Sequence, residues 1–122
     1  LGHLLEMLKP AGHGASICLN KLPVLDGALE CFAQGISSSL QLQNSQSAGE
    51  IQHVEQWFRH PLYPVLFDPQ TSGGLLASVA DSEVESCLQS LHKAGYSAAC
   101  VIGHVFGDEM LDAGRESVLL QA

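Results

Sequence analysis

The sequence predicts an α/β (α+β) fold in which helices cover a β-sheet. Apolar runs of strand length alternate with segments of helical periodicity, and glycine or proline follows most of the helical segments. Residues 75–105 read as strand, helix, strand. A chain of 122 residues with 46% hydrophobic content can build one core. We therefore expect a single domain over residues 1–122.

The first third of the chain predicts two helices with a strand between them. A short amphipathic helix ends near Pro10 and Gly12, and residues 15–19 alternate in the manner of a core strand. Asp26 can cap the second helix, and Gly35 stands where a left-handed terminator belongs. This part of the chain is therefore predicted to supply one strand of the sheet and two helices.

The middle of the chain predicts a long loop and then a short helix. Residues 36–48 are rich in Ser, Gln and Asn, so they bury little and read as a surface loop. Residues 51–60 place apolar side chains on one stripe, and Pro61 and Pro64 end that helix. Trp57 lies on the stripe, and we expect it to pack in the core rather than to serve as a ligand platform.

The last third predicts a strand, a helix, a second strand and a hairpin. Residues 75–80 form a nearly continuous apolar strand, and the next helix begins at residue 81 or 82. That helix ends at Gly95, and residues 98–105 read as the following strand. A hairpin is expected over residues 110–120.

Composition and charge exclude several classes of partner. Thirteen acidic against five basic side chains give a net charge of −8, which repels phosphate backbones and anionic lipids. No apolar run approaches the roughly 20 residues that span a bilayer, and the first residues lack the pattern of a signal peptide. We expect a cytoplasmic protein that binds neither nucleic acid nor membrane. The charge also means that a bound phosphate needs metal ions or basic groups from elsewhere.

The histidines and cysteines give no metal-binding or disulfide pattern. The histidines include no HxxxH or HxH pair, so we expect no metal site in this chain. The cysteines never form a CxxC pair, and we expect most of them to be buried thiols that pack as small hydrophobes. They are Cys18, Cys31, Cys87 and Cys100.

The candidate functional motif is the run Asp68-Pro69-Gln70-Thr71-Ser72-Gly73-Gly74, which precedes the predicted strand over residues 75–80. Paired glycines allow positive φ and close approach of the backbone to a ligand. The hydroxyl groups and successive N–H groups offer donors to phosphate oxygens. The alternative is a turn leading into the strand, which Asp-Pro starts and Gly-Gly closes.

Three segments resemble one enzyme family. Residues 68–76 resemble the DPQTSGGLL signature in the C-terminal half of selenophosphate synthetases, also called selenide, water dikinases. Residues 1–7 resemble the tail of the family's DVTGFGLLGHLLEM segment, and residues 22–29 resemble its LPxLPGALE stretch. The resemblance extends from residue 1 to about Val105, and it implies that this chain is a fragment of a longer enzyme.

The resemblance implies a fold and an activity. The implied fold is the C-terminal domain of the aminoimidazole ribonucleotide (AIR) synthetase superfamily, a mixed sheet of partly ferredoxin-like topology packed by helices. The implied enzyme makes selenophosphate from selenide, ATP and water and releases AMP and phosphate, so phosphoryl groups must be held and neutralised. Its product serves selenocysteine and selenouridine synthesis.

The resemblance also implies cofactors and partners. Mg²⁺ and ATP serve the full-length enzyme, and we expect this fragment alone to bind neither tightly. The family's reactive Cys or selenocysteine, its Lys and its magnesium-binding aspartates belong to the absent N-terminal part, so this chain should hold no catalytic residue and be inactive alone. The implied partners are the N-terminal ATP-binding domain of the same chain and a second copy in a homodimer.

Individual residues receive roles from the resemblance. The loop is expected to border the phosphate side of a cleft between the two halves. Because a carboxylate repels phosphate, an aspartate there suits shaping of the loop or magnesium contact better than direct binding. The expected phosphate- or nucleotide-binding residues are Gln70, Thr71, Ser72, Gly73 and Gly74, and the loop-shaping residues are Asp68, Gly2 and His3.

Two alternatives stand beside this interpretation. In the first, the domain buttresses the ATP-binding half and assists dimer formation without touching substrate. In the second, the chain comes from a superfamily relative with another substrate, such as a purine-pathway cyclase, thiamine monophosphate kinase or a hydrogenase-maturation dehydratase. A Cys or selenocysteine followed by Lys in the upstream sequence would favour selenide chemistry.

Overall fold

The computed structural model describes residues 1–69, 73–107 and 117–122. Four α-helices, three strands and five short segments of 3₁₀-helix lie in these ranges. The helices are α1 (Gly2–Ala11), α2 (Ala28–Ala33), α3 (Gln41–Asn44) and α4 (Val84–Lys93), and the strands are β1 (His13–Cys18), β2 (Gly103–Gly107) and β3 (Val118–Gln121).

The three strands form one mixed sheet in the order β2-β1-β3. β1 is central and runs antiparallel to β2, with Ile17 opposite Gly103. It runs parallel to β3, with Ile17 opposite Leu120. Ile51 adds a single parallel bridge to Val118. The predicted combination of a mixed sheet with helices is confirmed.

The hydrophobic core is built from α1, the sheet and two segments of the middle region. β1 is buried along most of its length, as expected for the central strand. Burial of this apolar surface is the main term that stabilises the fold. The buried apolar residues are Leu5, Leu8, Ala15, Ile17, Leu19, Ile51, Phe67, Val118 and Leu120.

Three predicted helix ends are confirmed. Gly12, Gly35 and Gly95 have φ values of 64°, 75° and 100°, in the left-handed region that glycine adopts without strain. After Gly95 the N–H of Tyr96 donates to the Leu91 carbonyl, so the last turn of α4 keeps its hydrogen bonds. Local chemistry is sufficient to end these helices.

The two expected helix starts are wrong in detail. Gly27, not Asp26, is the N-cap residue of α2, and no side chain caps the helix. A 3₁₀ turn over Asp81–Glu83 precedes α4, and the expected side-chain cap at its start is also missing. The reason in α2 is that Gly27 takes a left-handed conformation with φ 83°, which turns the chain into the helix directly.

The expected loop over residues 36–48 is wrong from Gln41 onward. α3 and a 3₁₀ stretch, Ser45–Glu50, occupy it. The hydroxyls of Ser45 and Ser47 each donate to the carbonyl three residues earlier at 2.7 Å, which supports these tight turns. The polar composition of this segment therefore indicated that it buries few side chains, but it did not indicate that helical structure is absent.

The expected helix over residues 51–60 is also wrong. The segment holds one 3₁₀ turn, Val54–Gln56. Its first residue, Ile51, is 2% exposed and pairs with β3, and the N–H of Gln52 donates to the carbonyl of Val118 at 2.8 Å. Sheet pairing at this point takes the backbone groups that a helix would need. Trp57 packs against the core, as expected.

The expected strand over residues 75–80 is not formed. These residues have no regular secondary structure and are all exposed, and Leu75 is 103% exposed. No described strand pairs with them. The strand expected over residues 98–105 begins only at Gly103. Its partner β1 ends at Cys18, so residues 98–101 have no strand to pair with among the described residues.

Three further expectations have mixed outcomes. Residues 110–116 of the expected hairpin lie outside the described residues, whereas its second arm is present as β3, which pairs with β1. The expected burial of most cysteines is wrong: Cys31 and Cys100 are exposed, since α2 buries no residue and residues 98–101 lie outside the sheet, and Cys18 and Cys87 are half-buried. Among the described helices, none has the length and hydropathy required to cross a membrane.

Candidate functional site

The candidate motif begins directly after a turn of 3₁₀-helix, Tyr63–Phe67, which we call the pre-signature turn. Asp68 leaves this turn in an extended conformation, with φ −67° and ψ 126°. Asp68 and Pro69 are half-buried, whereas Gly73 and Gly74 are exposed. The remaining site residues expected from the sequence, Gln70, Thr71 and Ser72, lie outside the described residues.

Aromatic packing fixes the end of the pre-signature turn. The ring of Phe67 is 3% exposed, and its centroid lies 5.0 Å from that of Tyr63 in an edge-on arrangement. Burial of Tyr63 raises the pKa of its phenol above the usual value, so the hydroxyl is neutral at physiological pH. The motif therefore begins from a residue anchored in the core.

The start of α1 lies against the same turn. The nitrogen of Leu1 donates a hydrogen bond of 2.9 Å to the carbonyl of Leu66, across 65 positions of sequence. The contact brings two expected site regions together: Gly2 and His3 follow Leu1, and Asp68 lies two residues after Leu66.

The first turn of α1, with Gly2 and His3, is the second expected site region. No side chain caps this helix, and its first turn contains no acidic residue. The N–H groups of a first turn have no partner within the helix, and they carry the positive end of the helix dipole. Gly2 and His3 are exposed there. Such an end is chemically suited to an anion.

The described residues place no steric constraint on the glycine at the end of the motif. A Cβ atom added at Gly74 would find no atom within 4 Å, and Gly74 is not among the glycines with positive φ. The expected use of left-handed backbone therefore does not apply at Gly74. Any group that would clash with a side chain at Gly74 must therefore lie outside the described residues.

Sequence reasoning missed two residues that hold the pre-signature turn. The Nε2 of Gln41 donates to the carbonyl of Pro64 at 2.7 Å, and the Nδ2 of Asn44 donates to the carbonyl of Phe67 at 3.0 Å. Both residues fall in the segment expected to be a surface loop. A single sequence carries no signal for a side chain that reaches main-chain carbonyls 23 positions away.

The described residues supply little positive charge and no metal centre. Lys9 is paired with Glu50 at 2.7 Å. Within the described ranges, no group of three His, Cys, Asp or Glu side chains is arranged to hold a metal ion. Neutralisation of a bound phosphate would therefore depend on groups outside this domain.

Curated proteins are similar in sequence to most of this chain. The sequence is 37% identical over 105 residues to "Selenide, water dikinase" of Pseudomonas straminea, and that match covers 86% of this chain. Identity is 35% over 105 residues, again 86% of the chain, for the protein of the same name from Pelobacter propionicus. It is 38% over 116 residues, 89% of the chain, for that of Carboxydothermus hydrogenoformans.

The alignments cover only part of those relatives. They span 29%, 30% and 31% of the three relatives' lengths, so each relative has a large region without a counterpart here. A match to the family described as "AIR synthase related protein, C-terminal domain" extends over residues 1–114. That match, together with the mixed sheet and its helices, shows that the chain belongs to the AIR synthase related protein family as its C-terminal domain.

Proposed function

We propose that this chain is the C-terminal domain of a selenide, water dikinase, and that its motif borders the phosphate side of a cleft shared with an ATP-binding half. The whole enzyme would make selenophosphate from selenide, ATP and water, with release of AMP and phosphate. The observation that carries the proposal is the Leu1–Leu66 hydrogen bond. It joins the segment at residues 1–7, which resembles the enzyme family, to the turn that leads into the second resembling segment at residues 68–76.

The proposed role is to position phosphoryl groups rather than to react with them. Positioning and charge stabilisation dominate the catalysis of phosphoryl transfer. The N–H groups at the start of α1 and the donors of Gln70 to Gly74 suit phosphate oxygens. Asp68 would repel phosphate, so its proposed role is to shape the loop, with Gly2 and His3 beside it.

Magnesium and the reactive groups are assigned to the other half of the enzyme. The described residues do not fit a magnesium site, and a chain with net charge −8 does not attract ATP by itself. In this proposal the N-terminal half supplies the nucleophile, a lysine and the magnesium ligands. The assembled enzyme would be a cytoplasmic homodimer.

The proposal is tested in the full-length enzyme by the substitution Gly74→Ala. An added Cβ atom would meet nothing within 4 Å among the described residues, so the fold should be unaffected. It would obstruct close approach of a phosphate to the backbone, and we expect the rate of AMP formation to fall by about tenfold or more. The matched control is Gly49→Ala, since a Cβ at Gly49 also meets nothing within 4 Å.

Gly73→Val places a larger obstacle in the same loop and should reduce turnover further. Turnover of the Gly74→Ala and Gly73→Val enzymes equal to that of Gly49→Ala would remove the loop from the mechanism and favour a purely structural domain. A full-length protein that forms no AMP from ATP in the presence of selenide would overturn the assignment itself.

A further inference from the structure

The turn that leads into α2 contains the dipeptide Asp26-Gly27, and no other aspartate or asparagine of this sequence is followed by glycine. The N–H of Ala28 donates to the carbonyl of Leu25 at 3.1 Å and closes the turn. Gly27 has φ 83° and ψ −12°, and Asp26 is not among the non-glycine residues with positive φ. These values describe a type II turn in which Asp26 and Gly27 are the two central residues.

The peptide group between Asp26 and Gly27 is unrestrained by the described residues. Neither the carbonyl of Asp26 nor the N–H of Gly27 has a hydrogen-bond partner among them. Both residues are exposed. A Cβ atom added at Gly27 would meet nothing within 4 Å, so the space around this residue is open. The plane of this peptide group can therefore rotate within the turn without breaking a hydrogen bond of its own.

The side chain of Asp26 is also available to react. Its carboxyl group does not cap α2, and it forms no salt bridge or hydrogen bond within the described part of the chain. The Cγ atom of an aspartate and the nitrogen of the next residue can close a five-membered ring. Glycine hinders this closure least of all residues, because it has no side chain and its backbone adopts the widest range of conformations.

We propose that Asp26-Gly27 is a site of spontaneous isomerisation to isoaspartate. The nitrogen of Gly27 attacks Cγ of the Asp26 carboxylic acid, an N–Cγ bond forms, and the hydroxyl group leaves with the amide proton as water. A water molecule then adds to the main-chain carbonyl of Asp26 and breaks its bond to the Gly27 nitrogen. The product has the original composition, but its main chain runs through Cβ and Cγ, and a carboxylate remains on Cα. The reaction needs no reactant other than water and does not depend on enzyme activity.

The product should loosen the start of α2 and leave the hydrophobic core intact. Isomerisation adds one carbon atom to the main chain inside the turn that the hydrogen bond from Ala28 to Leu25 closes. It also displaces Gly27, the N-cap residue of α2. Because α2 buries no residue, the buried apolar surface that stabilises the fold does not include this helix. The modification is therefore expected to act locally.

A proline in place of Asp26 supplies a matched control. The LPxLPGALE stretch that residues 22–29 resemble has proline at the position of Asp26. Proline suits the second residue of a type II turn, but it carries no carboxyl group. Asp26→Pro should therefore keep the turn and abolish the reaction. Asp26→Glu keeps the charge instead, and its longer side chain would have to close a less favourable six-membered ring.

The test incubates the folded full-length protein at physiological temperature and pH, and then separates and identifies its peptides by liquid chromatography and mass spectrometry. We expect a form of the Asp26 peptide that is lighter by one water, followed by a second form with the original mass. The second form should accumulate several-fold faster than isoaspartate at Asp81, which is also exposed but is followed by Ser82. Asp26→Glu and Asp26→Pro should lose both forms. In Asp26→Asn the same ring closes with loss of ammonia, so aspartate and isoaspartate should both appear at this position.

Two kinds of result overturn the proposal. Isoaspartate that forms at Asp26 no faster than at Asp81, or Asp26→Asn protein that stays unchanged, would mean that the folded enzyme holds or covers this peptide group. Hydrogen exchange of the isomerised fraction tests the effect on structure, and it should be faster in α2 and unchanged in β1. Exchange in α2 equal to that of the unmodified protein would overturn the predicted loosening of the helix.

Discussion

The main chain of Ser16 lies so close to Gly103 that a Cβ atom on Gly103 would overlap the Ser16 carbonyl oxygen. The neighbouring Ile17 Cα would be only 3.2 Å from that atom. Both contacts are with backbone of the central strand, which cannot turn aside as a flexible side chain does. Glycine at this position is therefore required for β1 and β2 to pair.

Gly103→Ala should destabilise the domain by about 2 kcal/mol or more, because the methyl group forces β2 away from β1. Hydrogen exchange of the β1 amides, followed by mass spectrometry, measures the effect. Gly107→Ala is the control from the same strand, since a Cβ there meets nothing within 4 Å. Equal protection of β1 in the two variants would contradict the close approach.

Gly2→Ala should lower turnover of the full-length enzyme without loss of stability. Gly2 is exposed, and an added Cβ would meet no atom within 4 Å. Alanine favours the helix over glycine by up to about 1 kcal/mol, so α1 should be as stable or slightly more stable. In the proposed cleft, however, the methyl group would crowd the phosphate. AMP formation measures this, with Gly107→Ala as a control distant from the start of α1.

An unchanged rate in Gly2→Ala would separate the start of α1 from the site. It would leave the role of the loop after Asp68 to be decided by Gly74→Ala.

Local signals in the sequence were sufficient for several elements. Gly12, Gly35 and Gly95 mark helix ends because their positive φ is a property of the residue itself. Residues 15–19 were predicted to be a core strand from their own pattern, and β1, His13–Cys18, is the central strand with four successive buried residues. These predictions needed no knowledge of which segment lies beside which.

Elements that depend on a distant partner were not predictable in the same way. The apolar run over residues 75–80 has strand propensity, but propensity does not supply a neighbouring strand, and the described sheet pairs β1 with β2 and β3 instead. Likewise the motif was found from its residues, whereas its support by Gln41, Asn44 and Leu1 depends on contacts across 23 or 65 positions.

Cys31 and Cys18 should differ in their rates of alkylation. Cys31 is exposed on α2, whereas Cys18 is half-buried in the central strand, where its thiol donates to the Ala122 carbonyl at 3.5 Å. Brief treatment of the native protein with iodoacetamide, followed by mass spectrometry of its peptides, should therefore label Cys31 before Cys18. In urea the two rates should converge, because unfolding removes the difference in access. Equal labelling in the native state would mean that β1 does not keep both of its neighbouring strands in place.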